Sequence, residues 1–362
     1  MTTGRTSSTQ PALSVVGRLG TIALRRPAAI NAITPEDIAR ITELLGEAVA
    51  DSRVTTILLH GEGDRGFCAG GDIKRVRDLV TNDDHDSLAD FWSSEYRLDH
   101  LISTCPKPIV SIAHGLTLGG GMGLASHAAY RVVTDSSRLG MPEVFIGLSP
   151  DIGGLWLYAN APGCTGRYAA LTGTQLSAGD ALYMKLADHY VPQNDLPAVI
   201  AELSEKEPEH VLAPYGDHPP SWVADHRAAI DAIFGGTSVR EISKIAAQIA
   251  AERSESVGAV EVAENTTRSF ADASPTALAV TFEALDRASR MSSLGECLMQ
   301  DLVVSQRCSR HPDLTEGIRA RVVDKDRSPQ WNPPTLDEVT RDAVAGFFDP
   351  IGPRLALPTW PS

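Results

Sequence analysis

The sequence predicts an α/β fold over roughly its first 205 residues and a mostly helical region after them. Three observations carry this prediction. β-type apolar runs are interspersed with helical patterns up to about residue 205, a proline-rich segment follows, and beyond it nearly every apolar pattern has helical spacing. We therefore predict a disordered tail over 1–10, an α/β core over 11–205, a linker over 206–222 and a helical region over 223–362.

The first elements are predicted from alternation and capping. Residues Leu13 to Leu24 alternate around two glycines and indicate a β-hairpin. Thr34 is a good N-cap with Pro35 in the first helical turn, and the next apolar residues trace one helical face: Ile38, Ile41, Leu45 and Val49. A strand is expected from Thr55 to His60.

Further elements follow from the same rules of period and capping. In the first half we expect a strand at Ile109–Ala113 and helices near 87–103, 122–129, 151–159 and 166–171, and from Ser177 onward. In the second half the helical patterns are Val223–Phe234, Val239–Ala250, Val257–Ala271, Thr276–Arg290, Leu294–Arg307 and Leu336–Phe348.

Composition narrows the class of protein. Hydrophobic residues at 43% and charged residues at 22% are ordinary for a soluble globular protein, and no apolar run is long enough to span a bilayer. A formal charge of −14 argues against a nucleic-acid surface. The first ten residues lack an apolar stretch, so no secretory signal is expected. Five cysteines without paired spacing suggest reduced thiols, and we predict a cytoplasmic location.

The stretch from His114 to Gly154 carries the strongest functional signal. Three glycines, Gly119 to Gly121, stand between an apolar run and a segment that can form a helix. Such a turn aims unpaired backbone N–H groups at one point, which suits developing negative charge. Downstream, Glu143 and Asp151 lie among apolar neighbours. A carboxylate beside a backbone cradle predicts an acyl-transfer or proton-transfer site.

Several longer motifs extend this signal and resemble the crotonase (enoyl-CoA hydratase/isomerase) superfamily. In order, they are RRPAAINAIT, FCAGGDI, KPIVSIAHGLTLGGGMGL and MPEVFIGLSPDIGG. Two more, SSEYRLDH and EGIRARVVDKDRSPQWNPPTLDEVT, resemble the 3-hydroxyisobutyryl-CoA hydrolase subfamily. The resemblance implies a crotonase (ClpP-like) spiral of ββα units followed by an α-helical C-terminal region. It also implies an acyl-CoA substrate, thioester hydrolysis in valine breakdown, and a homo-oligomer.

The resemblance assigns roles to four positions. Gly71 and Gly120 match the residues whose amides form an oxyanion hole around the thioester carbonyl. Glu143 and Asp151 match the catalytic carboxylates, with Glu143 as nucleophile or general base and Asp151 positioning or protonating. Two alternatives remain at this point: Glu143 is a surface carboxylate, and Asp151 caps the helix after Pro150.

Substrate-binding positions are also implied by the resemblance. Glu95 matches a glutamate that accepts a hydrogen bond from a 3-hydroxyl; otherwise it lies on the solvated face of a helix. Arg26 would approach the CoA phosphates, although Ala28 stands where many members carry lysine. Main-chain groups of the motif loop would hold the adenine and pantetheine: Cys68, Ala69, Gly70, Asp72 and Ile73.

Several sequence features disfavour functions other than thioester hydrolysis. Hydratases carry a second glutamate where this chain has Gly123, which disfavours hydration of an enoyl-CoA. A thiol mechanism at Cys68, with His114 or His127 as base, lacks a residue placed to orient the histidine. Histidines without metal-ligand spacing predict no metal, and no cofactor is expected besides the CoA of the substrate. A non-catalytic acyl-CoA-binding protein is the remaining alternative.

Overall fold

The computed structural model describes residues 9–253 and 256–360. Residues 1–8 of the predicted disordered tail lie outside these ranges. Within them the chain forms the following strands: β1 (Ala12–Val16), β2 (Leu19–Leu24), β3 (Thr56–Gly61), β4 (Ile109–Ala113), β5 (Leu116–Leu118), β6 (Tyr130–Val133), β7 (Arg138–Gly140) and β8 (His189–Tyr190).

Helices make up most of the remaining described chain. Those in the first half are α1 (Pro35–Ala50), α2 (Ile73–Thr81), α3 (His85–Ser103), α4 (Gly120–Ser126), α5 (Gly154–Ala159), α6 (Thr165–Thr172), α7 (Ala178–Tyr183), α8 (Leu196–Leu203) and α9 (Pro208–Leu212). Those in the second half are α10 (Trp222–Asp225), α11 (Arg227–Phe234), α12 (Val239–Glu252), α13 (Val257–Asp272), α14 (Pro275–Ala288), α15 (Leu294–Cys308), α16 (Pro312–Ile318) and α17 (Arg341–Gly346).

A six-stranded sheet in the order β1-β2-β3-β4-β6-β8 forms the centre of the first half. β1 and β2 are antiparallel, as the predicted hairpin requires, and the later pairs are parallel. β5 and β7 form a second, parallel layer, and single bridges from Gly66 and Cys68 join that layer to the loop after β3. The turns that contain β4 with β5 and β6 with β7 contribute one strand to each layer before the next helix, as in the predicted spiral.

Hydrophobic cores lie on both faces of the main sheet. The larger core contains residues of the α/β part and of the later helices together, such as Tyr96 and Leu298. The smaller core covers the other face, where Leu58 and Val110 meet Val199 of α8 and Val211 of α9. Because fully burying each such aliphatic side chain is worth about 1.5–3 kcal/mol, both helices are firmly attached to the sheet.

The later helices pack across one end of the α/β part. α15 lies against α3, α14 against α5, and α16 against both α2 and a 3₁₀ turn, Glu143–Ile146. A close backbone approach makes the last contact, because a Cβ on Gly317 would stand 2.5 Å from the backbone of Ile146. This end of the sheet is therefore covered by the C-terminal region.

Most predicted elements are present, with local differences. The predicted helix Val223–Phe234 is broken at His226 into α10 and α11, and the predicted helix Leu336–Phe348 is a 3₁₀ turn followed by the shorter α17. The prediction omitted strands β6 to β8 and helices α2 and α8. In α2 the signal was present, since Ile73, Val76, Leu79 and Val80 have helical spacing. The predicted linker contains α9, and the domain boundaries themselves stay predictions.

Candidate active site

A cavity of about 280 Å³ opens where α3, α4, the 3₁₀ turn and the C-terminal region meet. Its wall is mainly apolar, with Phe91, Trp92 and Leu148 among the lining residues. Three carboxyl groups also line it, those of Glu95, Glu143 and Asp151. A small apolar cavity with a few convergent polar groups is the usual form of a binding site for a small molecule.

Two free amides stand at one side of this cavity. Gly119 adopts φ 50° and ψ −124°, which turns the chain from β5 into α4 and leaves the Gly120 amide in the first helical turn. The Gly71 nitrogen lies 3.4 Å from the point where a Cβ on Gly120 would stand. Within the described chain neither amide donates to another backbone group. The two amides are therefore neighbouring donors without a backbone acceptor, and the oxyanion hole expected at Gly71 and Gly120 stays a prediction.

Glu143 begins the 3₁₀ turn directly after Pro142 and is only 7% exposed, so it is not the surface carboxylate of the alternative interpretation. Its Oε1 would lie 2.9 Å from a Cβ on Gly119, beside the two amides, and its Oε2 has no hydrogen-bond partner among the described residues. Burial, and then the neighbouring Asp151, raise the pKa of Glu143 well above its usual range. A raised pKa makes this carboxyl group a stronger base than an exposed glutamate.

Asp151 accepts a hydrogen bond from a tyrosine hydroxyl, which in turn contacts a serine hydroxyl. The Tyr96 hydroxyl donates to Asp151 Oδ2 over 2.7 Å, and it lies 3.0 Å from the Ser305 hydroxyl of α15. Burial raises the pKa of Asp151 to about 6, while the hydrogen bond from Tyr96 acts in the opposite direction. The hydrogen bond from Tyr96 thus favours the charged form of Asp151, whereas burial disfavours that form.

The helix-capping alternative for Asp151 is not supported. Helix α5 begins after Gly153, and no side chain of its N-cap residue caps it. The Gly153 amide instead donates to Asp301 Oδ2 over 2.8 Å. Asp301 of α15 therefore accepts the hydrogen bond at the start of α5. The carboxyl group of Asp151 accepts from Tyr96 instead.

Glu95 faces the cavity from α3 and is 4% exposed, so the solvated-face alternative is wrong. A Cβ on Gly120 would overlap its Oε1, which has no hydrogen-bond partner among the described residues. Burial, and then the charge of Asp151, raise the pKa of Glu95 to about 8. The side chain is an unpartnered polar group beside the two amides.

The C-terminal region completes the wall. Leu314 and Val322 line the cavity, as does Arg321, whose guanidinium stacks 4.8 Å from the centre of the Phe145 ring. Arg321 and Val322 belong to a π-helical turn, Arg319–Val323, an uncommon local geometry that is frequent at functional sites. The motif that suggested the subfamily therefore contributes directly to the cavity.

The predicted CoA-binding positions divide into two groups. Ala69, Gly70 and Ile73 line the cavity with Gly71, whereas Cys68 and Asp72 do not. Arg26 is engaged elsewhere: its guanidinium donates to the carbonyl of Ala32 and contacts Asp37 and Asp72 at 3.3 and 3.4 Å. A role for Arg26 and for this loop in holding CoA stays a prediction.

The thiol alternative has no structural support. The thiol of Cys68 is buried and donates to the carbonyl of Asn31, and burial raises its pKa to about 12. His114 and His127 contact the carbonyls of Gly63 and Ile152 and not a sulfur. The described residues contain no group of three or more potential metal ligands, and none of their helices is long and apolar enough to cross a membrane.

Sequence reasoning missed Tyr96, Ser305 and Asp301 as site residues. Tyr96 lies inside the SSEYRLDH motif, directly after Glu95, and membership of that motif was the available signal. Ser305 and Asp301 are about 150 residues or more from their partners, and no local pattern distinguishes them from other polar residues on a helix.

A model of the enoyl-CoA hydratase/isomerase family matches residues 19–348. The chain therefore belongs to that family, and the resemblance drawn from the motifs is confirmed. The matched range includes both the α/β part and most of the helical region.

Relatives that share nearly the whole chain are 3-hydroxyisobutyryl-CoA hydrolases. The protein from Dictyostelium discoideum is 32% identical and aligns over 96% of this chain and 93% of its own length. The Xenopus tropicalis protein is 34% identical over 94% and 89%, and the human protein 32% over 93% and 87%. All three names include "mitochondrial", so the cytoplasmic location stays a prediction.

Two crystal structures share the fold along the chain. A carnitinyl-CoA dehydratase from Mycobacterium thermoresistibile superimposes with a TM-score of 0.89 at 38% identity, covering 96% of this chain and 99% of its own. An enoyl-CoA hydratase from Rhodobacter sphaeroides gives 0.88 at 36% identity, covering 96% and 100%. The predicted crotonase fold with its helical C-terminal region is thereby confirmed.

Proposed function

We propose that the protein hydrolyses a short branched 3-hydroxyacyl-CoA thioester, with 3-hydroxyisobutyryl-CoA as substrate and 3-hydroxyisobutyrate and CoA as products. The observation that carries the proposal is the position of Glu143. Its buried carboxyl group, with an unpartnered oxygen, lies beside the free amides of Gly71 and Gly120. Full-length relatives named for this reaction give independent support.

The two amides act on the thioester carbonyl. Attack at this carbon moves an electron pair onto the oxygen, and donors already fixed in place stabilise that charge without reorganising. The apolar wall, including Phe91 and Trp92, excludes water and strengthens this interaction. One such donor is typically worth about 10²–10³ in kcat.

Glu143 supplies the new C–O bond by one of two routes. Its carboxylate attacks the carbonyl carbon to give an acyl-enzyme anhydride, which water then opens, or it removes a proton from a water that attacks directly. In both routes the C–S bond breaks and the CoA thiolate takes up a proton. Asp151, held by Tyr96, orients the reacting groups or supplies that proton.

Glu95 is placed to contact the acyl chain. A carboxyl oxygen of Glu95 accepts a hydrogen bond from a 3-hydroxyl, and a buried acceptor left unpaired by a substrate without this hydroxyl costs about 1–3 kcal/mol. A substrate with a 3-hydroxyl is therefore favoured over its deoxy analogue.

Hydration of an enoyl-CoA is the second candidate, because crystal structures of a hydratase and a dehydratase share the fold and because Glu95 and Glu143 both line the cavity. Against it, position 123 is glycine, and the space of a side chain there is filled. A Cβ on Gly123 would stand 2.5 Å from Asp99 Oδ1. The second glutamate of a hydratase has no room at this position.

An acyl-CoA panel with two readouts tests the proposal. Purified protein should release free thiol from 3-hydroxyisobutyryl-CoA and should leave the enoyl absorbance of crotonyl-CoA unchanged. Loss of that absorbance without thiol release would instead identify a hydratase. Binding of both thioesters without either signal would indicate a non-catalytic acyl-CoA-binding protein.

A further inference from the structure

A buried chain of two hydroxyls connects α15 with the carboxyl group of Asp151. The Ser305 hydroxyl lies 3.0 Å from the Tyr96 hydroxyl, which lies 2.7 Å from Asp151 Oδ2. Ser305 is 1% exposed and Tyr96 is fully buried. Neither residue lines the cavity, so a molecule bound there does not contact either hydroxyl. Any effect of Ser305 on the reaction must therefore pass through Tyr96 and Asp151.

The hydroxyl of Ser305 is not used within its own helix. Buried serine and threonine hydroxyls on a helix can donate to the carbonyl four residues earlier. Thr266 of α13 does so, since it donates to the carbonyl of Val262 over 2.7 Å. Within the described chain, Ser305 makes no such bond to the carbonyl of Asp301, and its partner is the Tyr96 hydroxyl. The proton of Ser305 is therefore available to Tyr96.

The direction of the two hydrogen bonds follows from the number of protons. A tyrosine hydroxyl has one proton to donate, whereas an ionised carboxyl group only accepts. Tyr96 therefore donates to Asp151, and Ser305 donates to the oxygen of Tyr96. The reverse direction, with Tyr96 donating to Ser305, would leave Asp151 without its hydroxyl donor and the Ser305 proton without an acceptor. Each unpaired buried group costs about 1–3 kcal/mol, so the first direction is favoured.

The titratable groups around Asp151 are mainly acids. Those whose charges interact with it are Glu95 and Asp99 of α3, Glu143 of the 3₁₀ turn, and Asp301 and Cys308 of α15. His127, at the end of α4, is neutral at neutral pH because burial lowers its pKa to about 4. Arg321, a cation of the cavity wall, pairs with Asp272. Among the side chains of the described residues, the Tyr96 hydroxyl is thus the group that favours the charged form of Asp151.

We propose that Ser305 is a positioning residue for Asp151. It donates to the oxygen of Tyr96, which directs the Tyr96 proton to Asp151 and strengthens that hydrogen bond. Hydrogen bonds in a chain polarise one another, and each bond gains about 10–30% in strength. The inference rests on the proposed function, because Asp151 acts in that reaction.

Substitutions at three positions test this role. Ser305→Ala removes the donor, and Ser305→Cys keeps a weak donor of similar size. Tyr96→Phe removes the hydroxyl through which Ser305 acts, so it is made alone and combined with each Ser305 variant. Thr266→Val is the matched control, because it removes a buried hydroxyl that bonds within its own helix and does not line the cavity.

The pKa of Asp151 is measured by carbon-13 NMR of carboxyl-labelled aspartate over a pH series, with the resonance assigned by its absence in Asp151→Asn. In Ser305→Ala the pKa should rise by about 0.5 pH unit, because the hydrogen bond to the charged form loses this strengthening. Ser305→Cys should give a smaller rise, and Thr266→Val should match the wild type. In the Tyr96→Phe background, Ser305→Ala should cause no further rise.

Two results would overturn the inference. One is an unchanged pKa of Asp151 in Ser305→Ala, and the other is a rise of the same size when Tyr96 is already phenylalanine. If Ser305→Ala does not fold, Ser305→Cys is judged by the same two criteria.

The NMR titration needs no turnover, so the two proposals can fail separately. The acid limb of kcat/KM for thioester hydrolysis should move upward together with the pKa of Asp151. A shifted pKa in a protein that releases no thiol would reject the proposed function and retain the role of Ser305. Thiol release with an unshifted pKa would reject the role of Ser305 alone.

Discussion

Glu143, Glu95 and Asp151 line one mainly apolar cavity, and their hydrogen bonds distinguish them. Burial raises the pKa of all three carboxyl groups. Burial raises the pKa of Asp151 to about 6, and the hydrogen bond that Tyr96 donates offsets part of this rise. Neighbouring acids with pKa values pushed apart can perform different steps of one reaction at the same pH.

This difference gives a pH prediction for Tyr96→Phe. The substitution removes the donor to the Asp151 carboxylate, so the pKa of Asp151 should rise. If the charged form of Asp151 is the active one, activity of the wild type falls as pH drops through about 6, and in Tyr96→Phe that fall should begin at a higher pH. The measurement is kcat/KM for thioester hydrolysis over a pH series.

Tyr190→Phe serves as the control, since the Tyr190 hydroxyl donates to Asp135 at the surface and neither residue lines the cavity. Its pH profile should match the wild type. A Tyr96→Phe profile with an unchanged acid limb would show that Asp151 is not the group that titrates.

At the scale of elements, the turn from β5 into α4 determines the geometry of the amides. Its glycines allow α3 and the 3₁₀ turn to approach, so the carboxyl groups of Glu95 and Glu143 lie against backbone. A side chain on this turn would move an acid or block the space of the thioester oxygen.

Gly120→Ala tests this packing. The added methyl group would overlap Glu95 Oε1 and stand close to the Gly71 amide, so we expect kcat to fall by about 10², as for one lost oxyanion donor. Gly46→Ala on α1 is the matched control, because nothing lies within 4 Å of its Cβ position. That variant should keep full activity and gain about 0.5–1 kcal/mol in the free energy of unfolding.

An equal kcat for the two glycine variants would contradict the proposed oxyanion hole. Acyl-CoA binding by Gly120→Ala, measured by calorimetry, completes the comparison. Because the expected loss is in the chemical step, the dissociation constant should change much less than kcat.

At the scale of the whole molecule, the helical region contributes residues to the candidate active site. Asp301 accepts from the Gly153 amide and Ser305 contacts the Tyr96 hydroxyl, while Leu314 and Val322 line the cavity. These contacts join residues about 150 or more positions apart to the loop that carries Asp151. The site therefore depends on how the two halves of the chain pack.

Asp301→Ala should weaken this connection. It leaves the buried Gly153 amide without an acceptor, which typically costs about 1–3 kcal/mol, and it frees the loop after Asp151. Asp301→Asn keeps an acceptor oxygen and should retain more stability and more activity. Urea unfolding and kcat are the measurements, and equal behaviour of the two variants would show that the hydrogen bond has no such role.

Sequence reasoning could predict what local patterns and motifs specify. Thr34 located the start of α1 as its N-cap, and the motifs selected Gly71, Gly120 and Glu143, which line one cavity. Partners from the distant part of the chain were not predictable, because Ser305 contacts Tyr96 only through tertiary packing.

Arg26 shows that a motif does not determine the contacts of its side chain. Its motif is present, but its guanidinium contacts Asp37 and Asp72.

The most direct test of the account is thioester hydrolysis by Glu143→Gln. Glutamine keeps the size of glutamate but is neither a base nor a nucleophile at neutral pH, so 3-hydroxyisobutyryl-CoA should still bind while thiol release falls about 10²-fold or more in kcat. Mass spectrometry of quenched wild-type reactions distinguishes the two routes, because only covalent catalysis gives an acylated peptide containing Glu143. Thiol release by Glu143→Gln at the wild-type rate would contradict the assignment of the active site.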